Sequence, residues 1–149
     1  LGLRPLRQWS MVVAMADMDP SPKGEELAFT SLQRARFLEQ TAKAMPNPPL
    51  DPETMFLMGL LSKLDALLNQ EMEEILTDMP LQKEVRDALC GKESAAEDWL
   101  GLLMAVELGD WGTVAEYIQR YSLKSQECAV NYLKAAAWAR ETLGLTKAE

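Results

Sequence analysis

The pair Ser62-Lys63 interrupts an otherwise largely apolar segment, FLMGLLSKLDALL at residues 56–68. Polar side chains within such a segment could bind a metal ion or a charged substrate. A serine hydroxyl is, however, a poor ligand for a hard cation, and a lysine ammonium repels one. Asp65 would need a second group to act as a catalytic carboxylate, and the sequence identifies none. We therefore expect Asp65 to pair with Lys63 or to cap the adjacent turn.

Two arginines on one helix, Arg34 and Arg36, could hold a phosphate or another anion together with Gln33. The simpler interpretation is that Arg36 pairs locally with Glu39 or Gln40, and that Arg34 lies along a neighbouring helix. We favour this interpretation and keep both arginines as candidate contacts for an anion or a partner.

The sequence contains no histidine. Histidine is the usual proton shuttle near neutral pH and the commonest metal ligand, so Ser-His-Asp triads, HExxH zinc sites and His-Asp metal phosphohydrolase centres are excluded. The net charge of −8, from 15 basic and 23 acidic residues, repels phosphate backbones, and we expect no nucleic-acid partner. The sequence therefore predicts neither a metal site nor a cofactor. One set of acidic residues could be considered as a site for a divalent cation, but its pattern is typical of a solvated face: Glu71, Glu73, Glu74 and Asp78.

Apolar residues recur with the helical period throughout the chain, which predicts an all-α fold. At 149 residues and 48% hydrophobic content, the chain can form one compact domain, 1–149, built as a bundle of seven or eight helices with short connections. Proline, glycine and capping residues place the helices. The predicted ranges are 5–18, 24–45, 52–69, 72–77, 81–90, 94–108, 111–121 and 125–143.

The predicted core lies on the apolar stripes of these helices. Gly59 should allow another helix to approach closely, and the tryptophans should anchor the core, except that Trp111 follows a helix cap and could be exposed to a partner. Cys90 and Cys128 have no CxxC partner, so we expect reduced, buried thiols. Other predicted packing positions are Leu57, Leu60, Leu61, Leu64, Leu67, Leu68, Leu100, Leu103, Met104, Tyr132 and Leu133.

The apolar runs are shorter than the ~20 residues that cross a bilayer, and no cleavable signal begins the chain. We therefore expect a cytoplasmic protein that has no membrane partner.

Several segments, in order along the chain, resemble the C-terminal part of an HDOD domain, a relative of the HD metal phosphohydrolases, in the form joined to an EAL domain in bacterial signalling proteins. HDOD domains more widely read GLLHDIG where this chain reads GLLSKLD, so Ser62 and Lys63 stand at the place of a metal-binding His-Asp pair. The matching segments are LGLRPLRQW at 1–9, RARFLE at 34–39, GLLSKLDALL at 59–68, MEEIL at 72–76 followed by Pro80-Leu81, and ELGDW at 107–111.

This resemblance implies a non-catalytic module of signal transduction that contacts the EAL domain of the same protein or of another signalling protein, and so acts in cyclic-di-GMP signalling. A second copy of the chain is a further candidate partner. The resemblance also implies that earlier HDOD helices and an EAL domain precede this piece.

Two other functions remain open. The helical pairs at 99–121 and 125–143, with their GDW…V…Y pattern, are similar to a TPR scaffold for binding proteins. A residual metal-dependent phosphohydrolase would have to draw its metal ligands from carboxylates alone.

Overall fold

The computed structural model of the chain describes residues 10, 14 and 17–144. The predicted helix at 5–18 lies largely outside these residues, and Trp9 and the motif at 1–9 lie wholly outside them. The described part is all-α, as predicted, and contains no strand. Its helices are α1 (Pro22–Ala44), α2 (Pro52–Leu61), α3 (Leu64–Leu68), α4 (Met72–Leu76), α5 (Lys83–Leu89), α6 (Glu97–Leu108), α7 (Trp111–Tyr121) and α8 (Ser125–Thr142).

Local capping chemistry sets several helix ends where the sequence predicts them. Asp51 precedes α2, and its carboxylate accepts hydrogen bonds from the Thr54 amide at 3.0 Å and the Thr54 hydroxyl at 2.6 Å. Burial raises the pKa of the Asp51 carboxyl, but these hydrogen bonds outweigh it and leave the pKa below its usual value. Gly109, in the left-handed conformation at φ 67°, ends α6, and the Asp110 carboxylate then caps α7 by accepting from the Thr113 amide at 3.2 Å.

The longest helix, α1, packs most extensively against α2 and α8. Gly59 makes the contact with α2 close, because a Cβ atom at this position would lie 2.6 Å from the Ala35 Cα. Since the gap leaves no room for a side chain, the predicted packing role of Gly59 is confirmed. Trp99 and Phe37 are fully buried in one part of the core, and Phe56 is buried in the other.

The predicted helix at 52–69 is wrong, because it is broken at Ser62-Lys63. The Ser62 hydroxyl donates to the Gly59 carbonyl at 2.6 Å, and the chain turns before α3 begins at Leu64. A serine that bonds back to its own helix competes with the next backbone hydrogen bonds. The break also leaves Leu68, a predicted core residue, 37% exposed.

Two further predicted packing residues lie on the wrong side of their helices. Met104 is 52% exposed, and Leu133 is 69% exposed. The buried stripe of α6 runs along Trp99, Leu102, Leu103 and Val106, and Met104 lies about 140° around the helix from Trp99. Leu133 likewise lies about 140° around α8 from Cys128 and about 160° from Ala135, which are both buried.

The two cysteines are both free thiols. Cys128 is buried as expected, whereas Cys90 is only partly buried at the end of α5. None of the helices described is long and apolar enough to cross a membrane.

Candidate functional site

Ser62 contacts an arginine that is largely buried. Ser62 lies at the end of α2, Arg34 in the middle of α1 and Glu107 in the last turn of α6. The Arg34 Nη1 donates to the Ser62 Oγ at 3.1 Å, and the Ser62 Oγ donates in turn to the Gly59 carbonyl. This hydrogen-bonded set, which we call the Arg34 cluster, comprises Arg34, Ser62 and Glu107.

Arg34 and Glu107 form an ion pair that is largely removed from water. The Arg34 Nη2 lies 2.8 Å from the Glu107 Oε1 and donates to its Oε2 at 3.1 Å, and the Nε donates to the same Oε2 at 3.3 Å. The side chains are only 11% and 20% exposed. A guanidinium that uses two nitrogens on one carboxylate is held firmly in position. An incoming anion would have to compete with Glu107 for it.

The other polar residues of this region have local roles. Lys63 is partly buried at the break between α2 and α3. Asp65 lies within the first turn of α3 and accepts from the amide of the next residue, Ala66, at 2.8 Å; this bond is not a helix cap, so the expected capping role stays a prediction.

Arg36 points to a different part of the molecule from Arg34. Its Nη1 lies 2.9 Å from the Glu39 Oε2, and its guanidinium stacks on the Trp138 ring at 5.2 Å from the centroid. The predicted local pairing with Glu39 is confirmed. Because Arg34 turns toward α6 and Arg36 toward α8, the two arginines do not converge on one anion.

A groove of about 460 Å³ opens beside the Arg34 cluster. Arg34 and Ser62 line one side of it, and the first turn of α6, with Glu97 and Asp98, lines another. Tyr117 of α7 also lines the groove; burial raises the pKa of its phenol, and the Asp98 charge raises it further. The groove therefore carries carboxylates beside an arginine that is already neutralised.

Acidic residues elsewhere do not gather into a metal centre in the described part of the chain. Glu71, Glu73, Glu74 and Asp78 are all exposed, which agrees with the predicted solvated face. The residues described contain no group of three or more acidic or cysteine side chains placed to hold an ion.

Trp111 is 58% exposed in the first turn of α7, so it is the exception that the sequence predicts. Sequence reasoning misses two other exposed apolar side chains, both on α6: Leu108 is 80% exposed, and Met104, a predicted core residue, is 52% exposed. A helical wheel could have found both, because they lie opposite the buried stripe of α6. Sequence reasoning also missed Glu107 as the partner of Arg34, because two residues that are 73 positions apart leave no signal in the local spacing of the sequence.

The chain is similar to two curated proteins. It is 31% identical over 147 residues to the uncharacterized protein YuxH of Bacillus subtilis, a match that covers 96% of this chain and 34% of that protein. It is 30% identical over 129 residues to the cyclic di-GMP phosphodiesterase CdgJ of Vibrio cholerae, covering 87% of this chain and 30% of CdgJ. The chain thus spans about a third of the length of these relatives. No family model matches it, and no solved structure is significantly similar.

Proposed function

We propose that this chain is the C-terminal part of an HDOD-type module that acts in cyclic-di-GMP signalling through protein contacts rather than through catalysis. Its partner is an EAL domain, in the same protein or in another signalling protein. The similarity to part of a cyclic di-GMP phosphodiesterase supports the link to this signalling system. The five motifs shared with HDOD domains support the type of module.

The observation that carries the non-catalytic part of the proposal is the contact between Arg34 and Ser62. In the HDOD resemblance, Ser62 and Lys63 stand where a metal-binding pair would stand. Here the Arg34 guanidinium donates to the Ser62 hydroxyl, and the nearby carboxylate of Glu107 is bound to the same guanidinium. A fixed guanidinium neutralises the carboxylate as a cation would, but it has no open coordination position for a substrate or an activated water.

The module acts on its partner through binding contacts made by a fixed arrangement of helices. The Arg34 cluster joins α1, the end of α2 and the last turn of α6 through charged hydrogen bonds, so these elements move together. A body of this kind changes an attached enzyme only to the extent that it binds one state of the enzyme better than another.

Turnover of cyclic di-GMP tests this function directly. The assay uses CdgJ from which the region matching this chain has been deleted, with and without the purified chain added at saturating concentration. We expect the added chain to change the turnover rate by at least about two-fold, which corresponds to a differential binding free energy of about 0.4 kcal/mol. Unchanged turnover, together with no binding in calorimetry, would contradict the proposal.

Catalysis by the chain itself needs a separate assay. The chain alone, supplied with Mg²⁺ or Mn²⁺, should leave cyclic di-GMP and a generic phosphodiester intact. Hydrolysis that EDTA abolishes would show a metal-dependent phosphohydrolase instead.

A further inference from the structure

The outer side of α6 presents an apolar surface that the core does not use. Glu97, Met104 and Leu108 lie within about 40° of one another around α6, along about 16 Å of its length, while Gly101 between them packs against Tyr117 of α7. Trp111, at the start of α7, lies beside the end of α6, because its Nε1 is 3.9 Å from the position that a Cβ atom of Gly109 would take. We call Glu97, Met104, Leu108 and Trp111 the α6 outer face.

The apolar end of this face is well exposed. Met104, Leu108 and Trp111 are 52%, 80% and 58% exposed, although each is large and hydrophobic. Single exposed apolar residues are ordinary, but a contiguous group of them marks a surface that another molecule covers. Tryptophan and methionine are also enriched in the centres of protein interfaces.

The charge around the face is negative. Glu97 lies at its beginning and lines the groove with Asp98, and the exposed Asp110 precedes Trp111. Two ion pairs of the region, Arg34 with Glu107 and Arg120 with Asp98 at 2.9 Å, each cancel in charge, so the negative charge of the face comes from Glu97 and Asp110. With a net charge of −8 on the chain, this surface repels nucleic acids and anionic membranes and favours a cationic partner.

We propose that the α6 outer face is the docking surface for a helical protein segment that carries basic side chains beside apolar ones. This inference rests on the proposed function, because it specifies where a partner binds and with what chemistry. Apolar side chains of the segment cover Leu108 and Trp111, and a basic side chain about three turns away enters the groove beside Glu97.

Synthetic peptides of about 18 residues, long enough to form a helix, serve as probes. One is an amphipathic Leu/Lys sequence, and the other is the same sequence with every lysine replaced by glutamate. Fluorescence anisotropy at low and physiological salt measures their affinity for the whole chain. We expect the Leu/Lys peptide to bind at least about ten-fold more tightly than the Leu/Glu peptide, with a difference that shrinks as salt rises.

Variants locate the binding surface. The double variant Met104→Ser/Leu108→Ser should weaken binding by about ten-fold or more, and Glu97→Gln by about three-fold. Leu133→Ser is the matched control, because Leu133 is 69% exposed on α8 and should leave the affinity unchanged. Peptide binding should shift tryptophan emission to shorter wavelength in the native chain, and this shift should be lost in Trp111→Phe.

The inference is overturned if the two peptides bind equally, if neither binds, or if Leu133→Ser weakens binding as much as the double variant. It is also overturned if the double variant only abolishes self-association in sedimentation, because the occupant would then be a second copy. The peptide assay does not depend on CdgJ. Failed peptide binding with altered CdgJ turnover would reject the docking surface alone, and the reverse result would reject the proposed function alone.

Discussion

Removing the charge of Arg34 should destabilise the protein far more than removing a surface charge, because it leaves Glu107 unpaired in a largely buried position. Opposite charges about 3 Å apart attract by about 5 kcal/mol at an effective dielectric constant near 20, and desolvation offsets part of this. Breaking a fully buried pair costs about 3–5 kcal/mol. Since the Glu107 side chain is 20% exposed and can regain some water, we expect about 2–3 kcal/mol for Arg34→Met.

Urea unfolding followed by circular dichroism measures this loss, and the melting temperature should fall by about 4–10 °C. A double-mutant cycle with Glu107→Gln separates the pair from other effects of each change, and its coupling energy should be about 2 kcal/mol. The matched control is Lys92→Met, which breaks the pair with Glu73, in which both side chains are exposed, and should have little effect. A coupling energy below about 0.5 kcal/mol, with native helical content, would refute the view that the Arg34 cluster fixes α1, α2 and α6 together.

Three further predictions test the packing, the caps and the thiols. Gly59→Val should destabilise the chain by about 3 kcal/mol or prevent folding, because the new side chain meets the α1 backbone, whereas Gly112→Ala, whose Cβ has room, should be tolerated in the same urea assay. Asp51→Ala should lower the free energy of unfolding by about 1 kcal/mol at pH 7, because the α2 cap is lost. Since the pKa of Asp51 is lowered in the folded state, this stability difference between native chain and variant should persist above pH ~4 and shrink as the pH falls further. A stability difference that is undiminished at pH 3 would contradict this prediction. Burial raises the pKa of both Cys90 and Cys128, so both thiols should react slowly with iodoacetamide at pH 7.5. Mass spectrometry of the peptides should show that Cys90 is labelled before the more buried Cys128. Labelling of Cys128 first would contradict this prediction.

The features that the sequence predicts well are those whose cause is local. Asp51-Pro52 and Gly109-Asp110 mark helix ends because the capping side chain and the permissive backbone lie within a few residues of the groups they satisfy. The break at Ser62 was not predicted, because the leucine periodicity continues through it and the hydroxyl can bond its own helix without any change in the apolar pattern. The Arg34 cluster depends on how α1, α2 and α6 pack against one another, and the spacing of residues along the sequence does not predict that packing.

Glu107 connects the Arg34 cluster with the α6 outer face, the two features on which the proposals rest. It precedes Leu108, so the same last turn of α6 holds Arg34 on its inner side and presents Leu108, which is 80% exposed, to solvent. A partner that binds Leu108 and shifts the last turn of α6 therefore also shifts Glu107, and through Arg34 it shifts the end of α2 at Ser62. The Arg34 guanidinium is covalently part of α1 and cannot dissociate as a metal ion can. A movement of α6 therefore reaches α1 and the end of α2 as a movement of the three elements together, and α6 is the helix whose exposed side chains a partner can bind.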